Sequence, residues 1–587
     1  MRRLGPVSLA TLPATAPSGA SAHAMAGASA FRTMFNRRVP AQFGAASYAA
    51  QLARTLRVPT TRSTNFATQS TPSFLGFLGF NGIDAFDAAT LNGGDIEPPD
   101  QGLCAGNGEV IEMVNLALSV FDTRGQLTAG PTDLNAFFGV PASDFLSDPR
   151  CVYDSVSNTF FLSITDLPTP STSALLLAVL PASGATGAVY ELDTTDDGTN
   201  GTPDHPNCPC LNDQPLLGVD ANGVYLSANE FEINVSNPSA STFNGAQIYA
   251  FNKANLVSET PIPAIVLFGS PLSIGGALAA SVQPANAPDG HFATANGGTE
   301  YFLSALDFAG RLDNRIGLWA LTDTCGLPSS TGTPACGAAP TLRNTVLRSE
   351  TYGFPPFEGN NSSAPGATQQ SGPTPLGAAN GGTLELLATN DDRMNQVVYA
   401  GGELYGGLNT VISVRGGTRG NSEAGVAYFV VKPTLNKRGL GGRVVKQGYV
   451  AHMDTNVFYP SIGVTSSGKA VITFSLSGPS LFPSAGYMPL AKKAQISIMG
   501  AGAAPDDGFT GYDVAAIQFT SLSPGVGRWG DYSAAVADGD QVWIAAEYIP
   551  FACDAAQYAV DPTCGGRRGQ FSNWGTFIGA LTFPPAR

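Results

Sequence analysis

Acids, arginines and aromatics recur at matching places along this 587-residue chain. Asp148 and Arg150 lie in Ser147-Asp148-Pro149-Arg150, Asp213 precedes Gln214-Pro215, Arg393 opens a looser copy of the same pattern, and Arg528 and Asp531 flank Trp529-Gly530. A guanidinium binds a carboxylate bidentately, so Arg150, Arg393 and Arg528 beside Asp213 would suit an anionic sugar. Paired carboxylates can serve as acid and base, or acid and nucleophile, in glycoside cleavage, which makes Asp148, Asp531 and Glu547 candidate catalytic groups. Tyr548 joins them because a tyrosine nucleophile is a known exception to the two-carboxylate rule. Trp529 and Tyr532, with Trp543 and Tyr548, could stack on sugar rings. The competing structural reading buries these aromatics between packed sheets and uses the repeated acids to fix strand corners. Recurrence favours the structural reading, since a residue repeated from unit to unit serves the unit's geometry.

Other chemistries find less support. Asp193, Asp196 and Asp197, with Asn200 around Gly198, resemble a Ca2+ loop, although the D-x-D-x-D-G spacing is imperfect and the twelfth position is Asp204 rather than Glu. Ca2+ is thus the one cofactor the sequence suggests, and a solvated Asx turn is the competing reading. His205, His291 and His452 stand isolated, and His23 falls in the N-terminal segment. The G-x-S-x-G context of a serine nucleophile is missing, and the Gly pairs lack the Lys and helix of a phosphate loop.

The eight cysteines are even in number. Cys325 with Cys336 and Cys553 with Cys564 each enclose a Gly/Pro-rich loop, and each such staple is worth roughly 3 kcal/mol by loop-closure entropy. A bridge across Cys208-Pro209-Cys210 would be strained, so Cys104 and Cys151 are each expected to meet one of that pair. A four-cysteine zinc site would want doubled C-x2-C spacing, which is missing. Bridged cysteines imply an oxidising compartment, hence a secreted or cell-surface protein. Arg2-Arg3 and the mildly apolar stretch to Thr15 accord with export, although Pro6 and Pro13 interrupt it. Residues 1–75 read as a leader, pro-segment or disordered Ala/Ser/Thr-rich arm.

The elements that must position these groups are short strands. Thr159-Phe160-Phe161-Leu162-Ser163, Val224-Tyr225-Leu226-Ser227 and Val542-Trp543-Ile544-Ala545 are β-rich runs bounded by Gly, Pro, Asn and Asp. Asn222-Gly223, Ser467-Gly468 and Asp538-Gly539 are hairpin turns. The strand–turn–strand pattern returns at intervals near 70 residues, long enough for four strands. Residues 76–587 therefore predict an all-β, six- or seven-bladed β-propeller, against the alternative of a string of β-sandwiches, for which the linkers are missing.

The same anchors resemble a group of secreted bacterial β-propeller proteins described as sialidase-like. The segments that carry the resemblance are Pro98-Pro99-Asp100-Gln101-Gly102 through Val114-Asn115, Ser147-Asp148-Pro149-Arg150 with Val152-Tyr153-Asp154, Leu226 to Phe231, and Arg528-Trp529-Gly530-Asp531-Tyr532-Ser533 with Glu547-Tyr548. The resemblance implies fold and secretion and transfers no catalytic residue. The Ser-x-Asp-x-Gly-x-Thr-Trp boxes of true sialidases are missing here.

Composition narrows the partners. Thirty Lys+Arg against 45 Asp+Glu give a formal charge of −15, with no basic run, which argues against nucleic acid. No stretch of about 18 apolar residues is present to span a membrane as a helix. The expected function is a binding module for extracellular glycan or protein. The alternatives are a glycoside hydrolase or polysaccharide lyase working at the channel mouth, and a structural surface protein.

Overall fold

The computed structural model describes residues 1–13, 56–67, 75–234, 241–259, 264–269, 271–306, 312–329, 334–356, 366–379, 381–416, 422–512 and 525–584. The protein is all-β and propeller-like. Among the described residues, four-stranded antiparallel meanders recur around a common axis. In ring order their innermost strands are Gly102–Gly106, Phe145–Asp154, Cys210–Val219, Gln283–Asn286, Val397–Ala400, Asn456–Val464 and Ala534–Asp538. Each inner strand touches the next, and the last touches the first. The fourth and fifth meanders also join through a short parallel pairing of Ala285 with Val397 and Asn286 with Val398.

Two strands from the N-terminal part of the chain finish sheets begun elsewhere. Gly76–Asp84 pairs with Gly575–Thr582 and completes the last meander, beside Gln541–Tyr548 and Ala534–Asp538. Arg2–Val7, within the segment read as a leader or arm, pairs with Gly187–Asp193 as a fifth strand of the second meander, and Arg2 forms an ion pair with Glu191.

Packing between neighbouring sheets holds the ring. Ile111, Met113 and Val120 of the first sheet meet Phe160, Leu162 and Leu176 of the second. Phe161 and Leu177 on the other face of that second sheet meet Leu217, Val224 and Tyr249 of the third. The series continues to the last sheet, where Trp543 and Ile578 close against Leu103, Val110 and Phe121 of the first. Sheets covered on both faces need no polar side, so strands such as Ala470–Gly478 are buried throughout rather than alternating. Close approach shapes composition too: a Cβ on Gly106 would lie 2.0 Å from the Tyr153 ring.

The disulfides correct one expectation. Cys104 bonds Cys151, joining the inner strands of the first two sheets, and Cys208 bonds Cys210 across a single proline. The Cα atoms are 5.3 Å and 4.5 Å apart. The expected crossed pairing fails because Cys104 and Cys151 already face each other across one sheet interface. Cys208 and Cys210 open the third sheet, where the Asn244 amide approaches both sulfurs. Cys325–Cys336 and Cys553–Cys564 form as expected. No helix among the described residues is long and apolar enough to cross a membrane.

Candidate functional site

The axis is built from one recurring backbone irregularity. Ahead of or inside each inner strand stands a residue with left-handed backbone: Asp100, Asp148, Gln214, Ser281, Asn390, Tyr459 and Gly530, with φ between 44° and 62°. In three strands the irregularity is a bulge followed by proline, where the register slips between Ser147 and Arg150, Asp213 and Leu216, and Phe458 and Ser461. A bulge re-aims side chains, and here it accompanies the polar groups gathered at the axis. Positive φ at a residue other than glycine costs on the order of 1–3 kcal/mol and persists only where its surroundings over-determine it. Asparagines do so here. Asn115 accepts from the Asp148 amide at 3.0 Å, Asn229 from the Ser281 amide at 2.8 Å, and Asn409 from the Tyr459 amide at 2.7 Å. Each belongs to the sheet preceding the residue it holds.

Three carboxylates converge where the last, first and second sheets meet. Asp100, Asp148 and Asp531 each place an oxygen within 4.8 Å of the other two. Asp100 accepts from the Asp531 amide and from Asn115 Nδ2 at 2.8 Å. Asp531 accepts from Arg528 Nη2 at 3.0 Å and from Asn390 Nδ2 at 2.9 Å. Burial, reinforced by Asp531, pushes the Asp100 carboxyl up to about 7. Burial and the neighbouring Asp213, Asp100 and Asp531 raise Asp148 well above the carboxylate range.

A cavity lies against this cluster. Asp100, Asp148, Asp531 and Arg528 line it together with Glu97, Asn115 and Thr510, and Ile96, Leu116, Phe145, Leu146 and Phe509 supply apolar walls. Glu97 accepts from the Thr510 amide and hydroxyl, and that hydroxyl accepts from the Arg528 amide. Behind the wall sit Glu385, Asp506 and Glu547, all buried. Oxygens of Glu97, Glu385, Asp506 and Glu547 have no hydrogen-bond partner among the described residues. Burial raises Glu547, with Asp506, Asp100 and Glu97 adding to the rise, and burial with Asp507 takes Asp506 to about 7.

The structure brings Asp148, Asp531 and Arg528 together at this cavity, with Glu547 beside Gly530. Asp213 stands near Asp148 without lining the cavity, and the remaining candidates are taken up by the protein. Arg393 and Arg528, candidates for holding an anionic sugar, are paired with carboxylates of the protein. Arg393 chelates Asp391 and reaches Gln214 at 2.6 Å, while Asp213 and Asp531 further raise its already high pKa. Arg150 lies 3.2 Å from the centre of the Tyr532 ring. Trp529 is 1% exposed and Tyr532 2% exposed, so neither offers a stacking face, and their polar atoms bond Ser475 and the Pro149 carbonyl. Tyr548 points the opposite way from Glu547 along its strand and donates to Asn81 at 2.7 Å.

The three acids of the Ca2+ loop reading take different partners. Asp193 accepts from the Thr195 amide and Asp197 from Thr199, each closing a local turn, while Asp196 turns inward to His205 and Glu230. The turns compete successfully because Asx side chains capture backbone amides two residues on. His205 is therefore not isolated.

Sequence reasoning missed Asp100 and Glu97 as site residues and Asn115 as the support of Asp100 and Asp148. The recurrence of Asn115, Asn229 and Asn409, each ahead of a left-handed residue in the following unit, is the signal that would have marked the axis.

No protein-family model matches the chain, and no curated protein matches it. Among solved structures, it is similar to a protein of unknown function from Dyadobacter fermentans, at 9% identity over 87% of this chain and 100% of that one, TM-score 0.32. It is similar to an exo-1,5-alpha-L-arabinanase from a bovine ruminal metagenomic library, at 10% identity over 60% of this chain and 97% of that one, TM-score 0.27. It is likewise similar to a Trypanosoma rangeli sialidase, at 10% identity over 82% of this chain and 59% of that one, TM-score 0.32.

Proposed function

We propose that this protein is a secreted, seven-bladed β-propeller that binds a neutral, hydroxyl-rich glycan in the cavity between its last, first and second blades. Residues 76–587 make up the propeller on this reading, and residues 1–75 are an N-terminal extension whose first strand widens the second blade. The four disulfides support an oxidising location.

One observation carries the ligand class: Asp100, Asp148 and Asp531 converge beside apolar walls, while Arg528 and Arg393 are paired with carboxylates and Arg150 lies over the Tyr532 ring. Carboxyl groups accept and donate hydrogen bonds to vicinal hydroxyls, and Phe145, partly exposed on the cavity wall, suits the apolar face of a sugar ring. An acidic sugar would add charge to a pocket already rich in carboxylates. The anionic-sugar expectation thus gives way to a neutral one.

A second reading is a glycoside hydrolase. It is favoured by the contrast between Asp148, held up by burial and by its acidic neighbours, and Asp531, ion-paired to Arg528, because acid and partner roles separate where environments differ. Titration calorimetry and a glycan array with neutral and acidic oligosaccharides, run beside reducing-sugar release, test both. Binding of neutral glycan that Asp148→Asn and Asp531→Asn weaken at least about tenfold supports the module. Release abolished by both substitutions moves the assignment to the hydrolase. Preference for acidic glycan, or binding indifferent to both substitutions, overturns the pocket assignment.

A further inference from the structure

The segment after Gly187–Asp193 forms a closed lobe before the third sheet begins. Its neck is tied by the His205 amide donating to the Asp196 carbonyl at 2.8 Å, and its waist by Gly198 to Pro203. The neck lies over one face of the third sheet, where Glu230 of Gly223–Glu232 and Gln247 and Tyr249 of Phe243–Asn252 point toward it. Asp196, His205, Glu230 and Gln247 are all at most 5% exposed.

Their donor atoms converge. His205 Nδ1 lies 2.8 Å from Glu230 Oε1 and 3.7 Å from Asp196 Oδ2. The Gln247 side-chain amide is 3.4 Å from both Asp196 Oδ2 and His205 Nδ1, and it contacts Glu230 Oε1. Ligands around one tetrahedral ion at bond lengths near 2.1 Å stand about 3.4 Å apart, so three of these separations already fit, while Glu230 Oε1 stands too close to both His205 Nδ1 and the Gln247 amide and has to draw back from each. Exchanging the Gln247 amide oxygen and nitrogen, which an amide permits, turns the oxygen to the cluster and the NH2 to Tyr249. Tyr249 can then accept that NH2 while donating to Asp196 Oδ2, its present partner at 3.3 Å.

Two independent observations point to a cation. Asp196 Oδ1 is buried with no hydrogen-bond partner among the described residues. Neither Asp196 nor Glu230 forms an ion pair with Lys or Arg there; His205 is their partner. Two buried carboxylates and an imidazole supply the charge and the donor types that one divalent ion takes. We propose that Asp196, His205, Glu230 and Gln247 bind one borderline divalent metal ion of the Zn2+ type, fastening the neck of the lobe to the third sheet. An imidazole nitrogen in the set selects against Ca2+.

The test uses the full-length, oxidised protein stripped with chelator and dialysed against ZnCl2, CoCl2 or CaCl2. The expected result is one Zn2+ per chain by elemental analysis, a Zn2+-dependent rise in Tm of at least about 2 °C, and visible d–d absorption with Co2+. CaCl2 should have no effect. His205→Gln and Glu230→Gln should each lower Zn2+ affinity at least tenfold, while Asp197→Ala, on the outer turn, keeps it. Failure of the wild-type protein to take up Zn2+, or uptake indifferent to His205→Gln and Glu230→Gln, overturns the proposal. The Co2+ spectrum is read on wild-type protein, so it decides the outcome even where a variant does not fold.

Discussion

The main-chain amide of Asp531 donates to the side chain of Asp100, 431 positions earlier in the chain. The bond joins the residue that leads into the last inner strand to the residue that leads into the first, at the point where the ring of strands meets itself. The acidic cavity and the closure of the ring are therefore one construction, and substitutions at Asp100 are felt by both. Asp148 offers the cleaner probe of binding, because its backbone is held separately by Asn115.

Asn409 holds three backbone groups at once. It accepts from the Tyr459 amide and donates to the carbonyls of Thr389 and Asp391 at 3.0 and 3.2 Å. Asn409→Ala leaves those buried groups unpaired and should cost about 2 kcal/mol, read from the urea midpoint at unchanged slope. A loss within about 0.5 kcal/mol would mean that the left-handed residues are not held by these asparagines.

Stability should fall as pH rises through neutrality. Asp100, Glu112 and Asp506 have carboxyls raised to about 7 chiefly by burial, with Asp531, Asp87 and Asp507 respectively adding to it. Each binds a proton in the folded state that the unfolded chain has released above about 4. The stability they contribute is full below about pH 4 and is lost as pH climbs through about 7. Thermal melts should therefore give a higher Tm at pH 5.5 than at pH 8, with Glu112→Gln flattening the difference. A flat profile, or a Tm rising toward pH 8, would contradict this.

The disulfides should differ in worth by the chain they enclose. Cys104–Cys151 spans 47 positions and Cys325–Cys336 only 11. Loop-closure entropy puts the first at about 4 kcal/mol and the second at about 3 kcal/mol. Paired alanine substitutions compared by denaturant unfolding should keep that order.

Tyr548→Phe separates the two residues once grouped as Glu547-Tyr548. Its hydroxyl bonds Asn81 and the neighbouring acids raise its phenol only from the Asp84 side, with burial taking it to about 12. Glycan binding or hydrolysis should be unchanged, at a stability cost of about 1 kcal/mol. An activity loss beyond threefold would return Tyr548 to the site.

Much of the architecture was legible because turns and strands are local. Asn222-Gly223 and Asp538-Gly539 sit at hairpins, and the strand–turn–strand units mark successive meanders, although their inner strands begin 43 to 114 residues apart rather than at an interval near 70. The site was legible only in part. Asp148, Arg528 and Asp531 stood out by type, but whether an arginine is spare depends on what faces it across the axis. Gln214 reaches Arg393 from 179 positions away, which no local pattern reports. Trp529 looked like a platform because tryptophan is common in sugar sites, yet its place in the core with Trp574 and Phe458 is set by long-range packing. The Asp196 cluster stayed hidden because Glu230 and Gln247 come from strands whose shared face appears only once the sheet has formed.

The pairing of Gly76–Asp84 with Gly575–Thr582 has a consequence for how the molecule is made. The strand that completes the last sheet leaves the ribosome roughly 490 residues before its partner. Until then both waiting edges present unpaired backbone. Contacts so distant in sequence form slowly. Closure is thus a late, whole-chain event rather than the last of a series of independent sheet foldings.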